Sequence, residues 1–300
     1  MNQFFSTEEN FLGITESELF EYESSKVVIQ SAPYEFTSSY LQGSDKGPEE
    51  IINASHFVEF YDEETDQEAY KKVGICTLKP LDFTNKVNID AVNLIEDSTN
   101  FHLEQGKFVV SLGSEHTVSL GFVKAFAKHH SDFSVLQIDA HSDLRSSYHD
   151  NPYSHASVLA RIHDLGLPIC QVGIRAQCKE EAELIKSSSL INTFYAHQLY
   201  NNNQWMDDCI SKLKDKVYIT IDADGFDPSV MPAVGTAEPG GLTWHQGLEF
   251  LRKVSEKKQI IGFDVVECAP KEGEILTQFN LAKLVYKIIG YCCLNNQLSQ

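Results

Sequence analysis

An α/β protein built on one mostly parallel sheet is the fold class this sequence predicts, and three observations predict it. Short apolar, strand-like runs alternate with helical stretches from residue 26 to residue 293. The 300-residue length is ordinary for an α/β domain and long enough to bury a sizeable core. No internal repeat, low-complexity linker or domain boundary interrupts the alternation. A single three-layer α/β/α domain over residues 1–300 is therefore expected, helices covering both faces of the sheet. Residues 1–25, acidic and without clear pattern, are expected to form a docking arm or a short helix.

The elements follow in order. Lys26-Val27-Val28-Ile29-Gln30 reads as the first strand, and a loop rich in Thr, Ser and Gly follows Pro33. A helix starts at Pro48-Glu49-Glu50, with Pro near its first turn and acids facing its dipole. Residues 59–72 are polar and expected to be loop-rich. Residues 88–105 suit an amphipathic helix, 108–112 a strand and 118–130 a helix. Residues 133–138 form a buried strand, 144–154 a polar loop, and a helix capped by Ser154 runs to about His163. Strands over 169–175 and 191–195 flank a helix over 180–187, and a helix over 205–213 precedes the strand 216–221. Residues 228–242 are a loop rich in Pro and Gly. Thr243 caps the helix 244–255, residues 259–266 are the last strand, and a helix over 280–293 closes the series.

Composition excludes several classes. A formal net charge of −19 argues against a nucleic-acid or anionic-membrane partner and is compatible with a small cationic substrate. No run of 18 apolar residues suggests a membrane span, and the polar, acidic start has no signal-peptide character. Seven cysteines, none in a Cys-x-x-Cys pair, fit free thiols in a cytoplasmic protein.

Two strand ends carry the chemistry. The 133–138 strand runs into Asp139-Ala140-His141-Ser142-Asp143, with three metal-capable side chains at alternate positions. Along a straight strand Asp139 and Asp143 would stand about 13 Å apart, too far for one compact site. The chain must curl there, with Ser142 expected in the bend. The 216–221 strand runs into Asp222-Ala223-Asp224. In open parallel sheets ligands gather at the carboxyl ends of strands, where both clusters would lie. His116 occupies the same kind of place, at the turn after the 108–112 strand. Taken alone it reads more often as a structural histidine, and the repeated strand-end placement raises the metal reading. Glu267, just beyond the last strand, reads alone equally as a surface acid.

His116, Asp139, His141, Asp143, Asp222 and Asp224 are too many ligands, and too rich in carboxylate, for one structural zinc. They suit two divalent ions sharing bridging carboxylates. The oxygen-rich set with two imidazoles favours Mn²⁺, with Co²⁺, Fe²⁺ or Zn²⁺ as alternatives. Such a pair lowers the pKa of a shared water enough to make a nucleophile at neutral pH. The site would stay slightly negative and welcome a cation. Glu267 could hold a guanidinium through two parallel hydrogen bonds.

These motifs resemble the ureohydrolase family, on its agmatinase branch. Gly113-Ser114-Glu115-His116-Thr117 resembles the family's Gly-Gly-Asp/Glu-His-Ser/Thr turn. Asp139-Ala140-His141-Ser142-Asp143 matches Asp-Ala-His-x-Asp. Asp222-Ala223-Asp224-Gly225-Phe226-Asp227-Pro228, continued by residues 235–242, matches Asp-x-Asp-x-x-Asp-Pro, and Asp264-Val265-Val266-Glu267 matches the last motif. With Gly47-Pro48-Glu49-Glu50-Ile51, the likeness covers roughly residues 25–295. The resemblance implies an arginase-like fold and a binuclear manganese centre. His116 and Asp143 would hold one ion and His141 and Asp224 the other, with Asp139 and Asp222 bridging. It further implies attack on the guanidinium carbon and collapse to urea and an amine, with trimers or hexamers as the assembly. His155, by itself only a histidine near a helix start, matches the family's proton-shuttling histidine. Asp227 matches a supporting acid, and Thr236 a pocket residue.

The pattern departs at Ser114, where the family usually has Gly, and at Glu115, which replaces the commoner Asp. The run Pro270-Lys271-Glu272-Gly273-Glu274 lacks the outer Asp that often follows. Arginases place an Asn two residues after the Asp139 motif to meet an α-carboxylate. Here Arg145 stands there, and the 144–157 loop resembles that of agmatinases. Agmatine, cleaved to urea and putrescine, is the expected substrate. Guanidinobutyrate, arginine and formiminoglutamate are alternatives, as is a catalytically silent interaction protein.

Overall fold

The computed structural model describes residues 4–298 apart from 7, 8, 201 and 202, so part of the expected N-terminal arm lies outside the described residues. Eight strands form one sheet: β1 (Val27–Ala32), β2 (Ile75–Thr77), β3 (Phe108–Gly113), β4 (Ser134–Ile138), β5 (Ile169–Ile174), β6 (Ile191–Tyr195), β7 (Lys216–Asp222) and β8 (Gln259–Val266). Their order is β2-β1-β3-β8-β7-β4-β5-β6, and every pairing is parallel.

Period-two burial explains how the strands serve two layers at once. Val27 and Ile29 of β1 face one core while Val28 faces the other. Val217, Ile219 and Ile221 of β7 oppose Tyr218 in the same way. On the Ile219 side pack α1 (Ser17–Phe20), α2 (Gly47–Ser55) and α3 (Ala69–Val73). On the Tyr218 side pack α4 (Ile89–Glu104), α5 (Ser119–His129), α6 (Val158–Asp164) and α7 (Lys179–Ser187). The Ile219 side is completed by α8 (Gln204–Lys212), α9 (Trp244–Lys257) and α10 (Leu276–Leu294). The result is the expected three-layer α/β arrangement. The start of the chain is stitched onto it: Phe11 and Ile14 are buried, and Leu12 N–H donates to Ser55 Oγ at 2.7 Å.

The chain visits β1, β2 and β3 on one side, then crosses to β4 to β6. It returns later with β7 and β8 to fill the gap. Such a reversal of strand order opens a crevice at the carboxyl ends of the central strands. Those central strands are β3, β8, β7 and β4, the four whose ends carry His116, Glu267, Asp222 and Asp139.

Several local expectations need correction. Residues 59–68 are loop as expected, but α3 starts at Ala69, and the three-residue edge strand β2 is too short to have shown a period. α10 starts at Leu276, not at residue 280. Ser154 does not cap α6. Its hydroxyl donates to Ser157 Oγ at 3.0 Å, and residues 155–157 form a 3₁₀ turn before the helix. Thr243 does cap α9, in a reciprocal box with Gln246, and Pro48 lies in the first turn of α2. The bend after β4 falls at Ala140 rather than Ser142, and Asp143 turns the chain in the left-handed region at φ 53°.

Candidate active site

The turn after β4 is packed against the turn after β7, and glycine permits it. A Cβ on Gly225 would stand 2.7 Å from Asp139 N and 2.8 Å from Ile138 C. Backbone then meets carboxylate across the gap: Ala140 N–H donates to Asp224 Oδ1 at 3.1 Å, and Asp224 N–H to Asp222 Oδ1 at 2.8 Å. Arg175, beyond β5, clamps the same junction from outside. It donates to the carbonyls of Gly173, Asp224, Glu238 and Pro239.

All six expected ligands come together, five of them buried and His141 partly exposed. His116 Nδ1 lies 3.0 Å from Asp139 Oδ2, 3.0 Å from Asp143 Oδ2 and 3.4 Å from Asp222 Oδ2. His141 Nδ1 lies 3.0 Å from Asp224 Oδ2 and 3.7 Å from Asp139 Oδ1. Among the described residues two groups capable of holding a metal result, His116–Asp139–Asp222 and Asp139–His141–Asp224. Asp139 belongs to both, as a bridging ligand would. Donor atoms sharing one six-coordinate ion at about 2.1 Å stand about 3 Å from each other, which is the spacing seen here.

The wiring of His116 shows which atom is free to bind. Tyr218 OH, Thr220 Oγ1 and Ser119 Oγ all donate to Asp264, at 2.7, 2.7 and 3.1 Å. Thr220 Oγ1, its proton spent on Asp264, accepts from His116 Nε2 at 2.9 Å. The proton of His116 is thus on Nε2, and the buried Nδ1 has no hydrogen-bond partner among the described residues. A lone pair aimed at three carboxylate oxygens calls for a cation between them. A glutamine chain orients the shared acid: Thr193 donates to Gln171, Gln171 to Gln137, and Gln137 to Asp139 Oδ2, each at 2.7 Å.

Electrostatics agrees with a cation sink. Burial, then the Asp139 charge, pushes Asp143 up to about 7, and burial with the Asp224 and Asp139 charges puts Asp222 well above the carboxylate range. Burial opposes ionisation of Asp139 too, and the His116 and His141 rings lower it only when they are themselves protonated. Burial would lower His141, yet the Asp224 charge and the hydrogen bonds to Asp139 and Asp224 push it up to about 12.

Above this floor lies a cavity of about 160 Å³. Glu267, Thr236, Arg145, Tyr148 and His155 line it, together with Ser38–Leu41 from the loop after β1. Glu267 sits in the left-handed region at φ 62°. Non-glycine residues held there carry strain of order 1–3 kcal/mol each, a cost that clusters at functional sites. Glu267 Oε1 accepts from His116 N–H at 2.7 Å, and burial pushes its carboxyl up to about 8. Arg145 lays its guanidinium over the Tyr148 ring, 5.5 Å from the centroid. Asp227 accepts from Ser229 and from Gly240 N–H and so shapes the 228–242 loop rather than the cavity.

Sequence reasoning missed the Ser38–Leu41 wall, Asp264, the glutamine chain and Arg175. Only Asp264 carried a signal, as part of a recognised motif. The departure at Ser114 is accommodated: its side chain is buried and donates to Ala32 O at 3.1 Å.

Residues 25–290 match the sequence model of the Arginase family. The chain belongs to that family. It is 42% identical to the N(1)-aminopropylagmatine ureohydrolase of Synechocystis sp. over 97% of this chain and 96% of the relative. It is 35% identical to the agmatinase of Bacillus anthracis over 83% of this chain and 85% of that one. Its fold superposes on the agmatine ureohydrolase of Thermoplasma volcanium with a TM-score of 0.82 at 28% identity, covering 97% and 96% of the two chains. It is accordingly an amidinohydrolase of the ureohydrolase type. No helix among the described residues is long and apolar enough to cross a membrane.

Proposed function

We propose that this protein hydrolyses the guanidinium of an agmatine-type substrate to urea and a polyamine. N(1)-aminopropylagmatine, giving urea and spermidine, is the first choice, and agmatine, giving urea and putrescine, the second. The observation that carries the reading is Asp139, shared between two ligand groups at the floor of a cavity whose wall holds Glu267. The near full-length likeness to a relative named for N(1)-aminopropylagmatine supports the longer tail.

His116, Asp143, His141 and Asp224 would hold two divalent ions, proposed as Mn²⁺, with Asp139 and Asp222 shared. When bound, the ions supply a water activated at neutral pH and offset the buried carboxylate charge. Glu267 holds the guanidinium by charge-assisted hydrogen bonds, with its Oε1 already fixed by His116 N–H. His155 would carry a proton to the leaving nitrogen as the C–N bond breaks. The seven free thiols support a reducing, cytoplasmic setting, and the family resemblance supports a homo-oligomer.

One observation favours a second reading. Arg145 lines the cavity and could meet the carboxylate of 4-guanidinobutyrate or arginine. Urea release by the manganese-loaded protein decides, with N(1)-aminopropylagmatine, agmatine, 4-guanidinobutyrate and arginine in parallel, and formamide release from formiminoglutamate. The expected result is the highest kcat/KM for a substrate without a carboxylate. Preference for a carboxylate-bearing guanidine would overturn the substrate reading and leave the chemistry intact.

A further inference from the structure

The loop after β1 reaches into the site through one side chain. Thr37 Oγ1 is 2.9 Å from His155 Nδ1 and 2.9 Å from Glu115 Oε1, and it accepts from His155 N–H at 3.1 Å. Glu115 is fully buried. Its Oε2 accepts from the backbone N–H groups of Phe36 and Thr37, at 2.8 and 2.5 Å, and its Oε1 also takes the Thr117 hydroxyl at 2.7 Å. Four donors converge on this carboxyl, two of them backbone groups that cannot reverse. Burial raises this carboxyl, and the donors from Thr117, Thr37 and Phe36 oppose that rise; with Oε2 held by two backbone groups, Oε1 is read as the acceptor of both hydroxyls.

The Thr37 hydroxyl has one proton and two lone pairs. One lone pair serves His155 N–H. If the proton goes to Glu115, the remaining lone pair must accept from His155 Nδ1. Nδ1 then carries the imidazole proton, and Nε2 keeps its lone pair. Nε2 lies 3.5 Å from the Ser39 hydroxyl, and both residues line the cavity. Tyr148 meets the ring edge-on at 74°, which holds the ring plane.

We propose that Thr37 is a positioning residue that ties His155 to Glu115, fixing the Nδ1–H tautomer so that Nε2 faces the substrate as the proton acceptor. This rests on the proton-carrying role proposed for His155. Burial is the leading cause that lowers His155 to about 4, so at neutral pH the ring is uncharged and its tautomer matters. One proton of the attacking water enters at Nε2 and passes to the leaving nitrogen as the C–N bond breaks; the hydroxyl proton left on the new C–O bond is lost as urea forms and is taken up by the released amine, which departs as its ammonium. Nδ1–H stays on Thr37 throughout. The carboxylate behind Thr37 steadies the imidazolium while it exists. The same contacts pin the loop that carries Ser38 to Leu41, so the device couples the cavity wall to the proton carrier.

Two readouts test it on the full-length, metal-loaded protein. Thr37→Val is expected to lower kcat about tenfold or more, a fraction of what a general acid–base contributes, with KM changed less than about twofold. Thr37→Ser, which keeps the hydroxyl, is expected to recover kcat to within about threefold. On zinc-loaded protein labelled with ¹⁵N-histidine, long-range NMR correlations should report Nδ1–H for His155 in the wild type and lose that preference in Thr37→Val. A wild-type Nε2–H tautomer, or equal kcat in Thr37→Val and Thr37→Ser, would overturn the proposal. If His155→Ala turns over like wild type, the role of His155 itself fails, and that outcome is separate because the NMR reading of the tautomer stands without it.

Discussion

Two histidines of this site are wired alike and built differently. His116 reaches Asp264 through Thr220, and His155 reaches Glu115 through Thr37. The first relay lies inside the sheet. Thr220 and Asp264 are register partners on β7 and β8, and Asp264 is further held by Tyr218 and Ser119. The second relay joins a loop, a turn and a 3₁₀ segment that are far apart in sequence. The proposed metal ligand is thus set by strand register. The proposed proton carrier is set by the loop that also lines the cavity. Position in the sheet makes the first stiff, while the second can change along with the substrate wall.

Substitutions can break this comparison at different depths. The largest effect is expected at the shared acid. Asp139→Asn should cut urea release by at least about a thousandfold, because one charge serving two ligand groups is lost. Turnover within tenfold of wild type would remove Asp139 from the bridging role. Next comes the relay in the sheet. Thr220→Val should leave the fold intact and weaken metal affinity about 10–100-fold, read by competition with a fluorescent chelator. By contrast, Thr37→Val should leave metal affinity unchanged. Equal metal affinities in the two variants would erase the distinction between the relays. The smallest effect is expected at Arg175, whose bonds go to carbonyls rather than to any reacting group. Arg175→Lys keeps the charge but not the fork. It should lower kcat/KM several-fold by loosening the 228–242 loop and raise the proteolytic sensitivity of that loop.

The same contrast explains how much could be read from the sequence. Strand-end placement is a local signal, since an apolar run followed by alternating acids shows itself within ten residues. Asp139, His141, Asp143, Asp222 and Asp224 were accessible for that reason, and the parallel sheet with them, whereas His116 and Glu267 stood out only through the motifs that resemble the family's. The relays were not, because their partners are distant: Thr37 lies 78 residues from Glu115 and 118 from His155. Gln137 and Gln171 occupy ordinary strand positions, and only the pairing of β4 with β5 brings them into line behind Asp139. The left-handed turns at Asp143 and Glu267 were hidden because neither position carries the glycine that usually announces one. β2 and α3 were missed because three and five residues are too few to establish a period.

The most direct test of the metal-dependent reading is the number of ions the protein binds. Isothermal titration of chelator-treated protein with Mn²⁺, combined with anomalous scattering from manganese-soaked crystals, would count and locate them. Two ions per chain are predicted, one beside His116 and one beside His141, with both occupancies reduced in Asp139→Asn. A single ion, or two that do not share Asp139, would contradict the account.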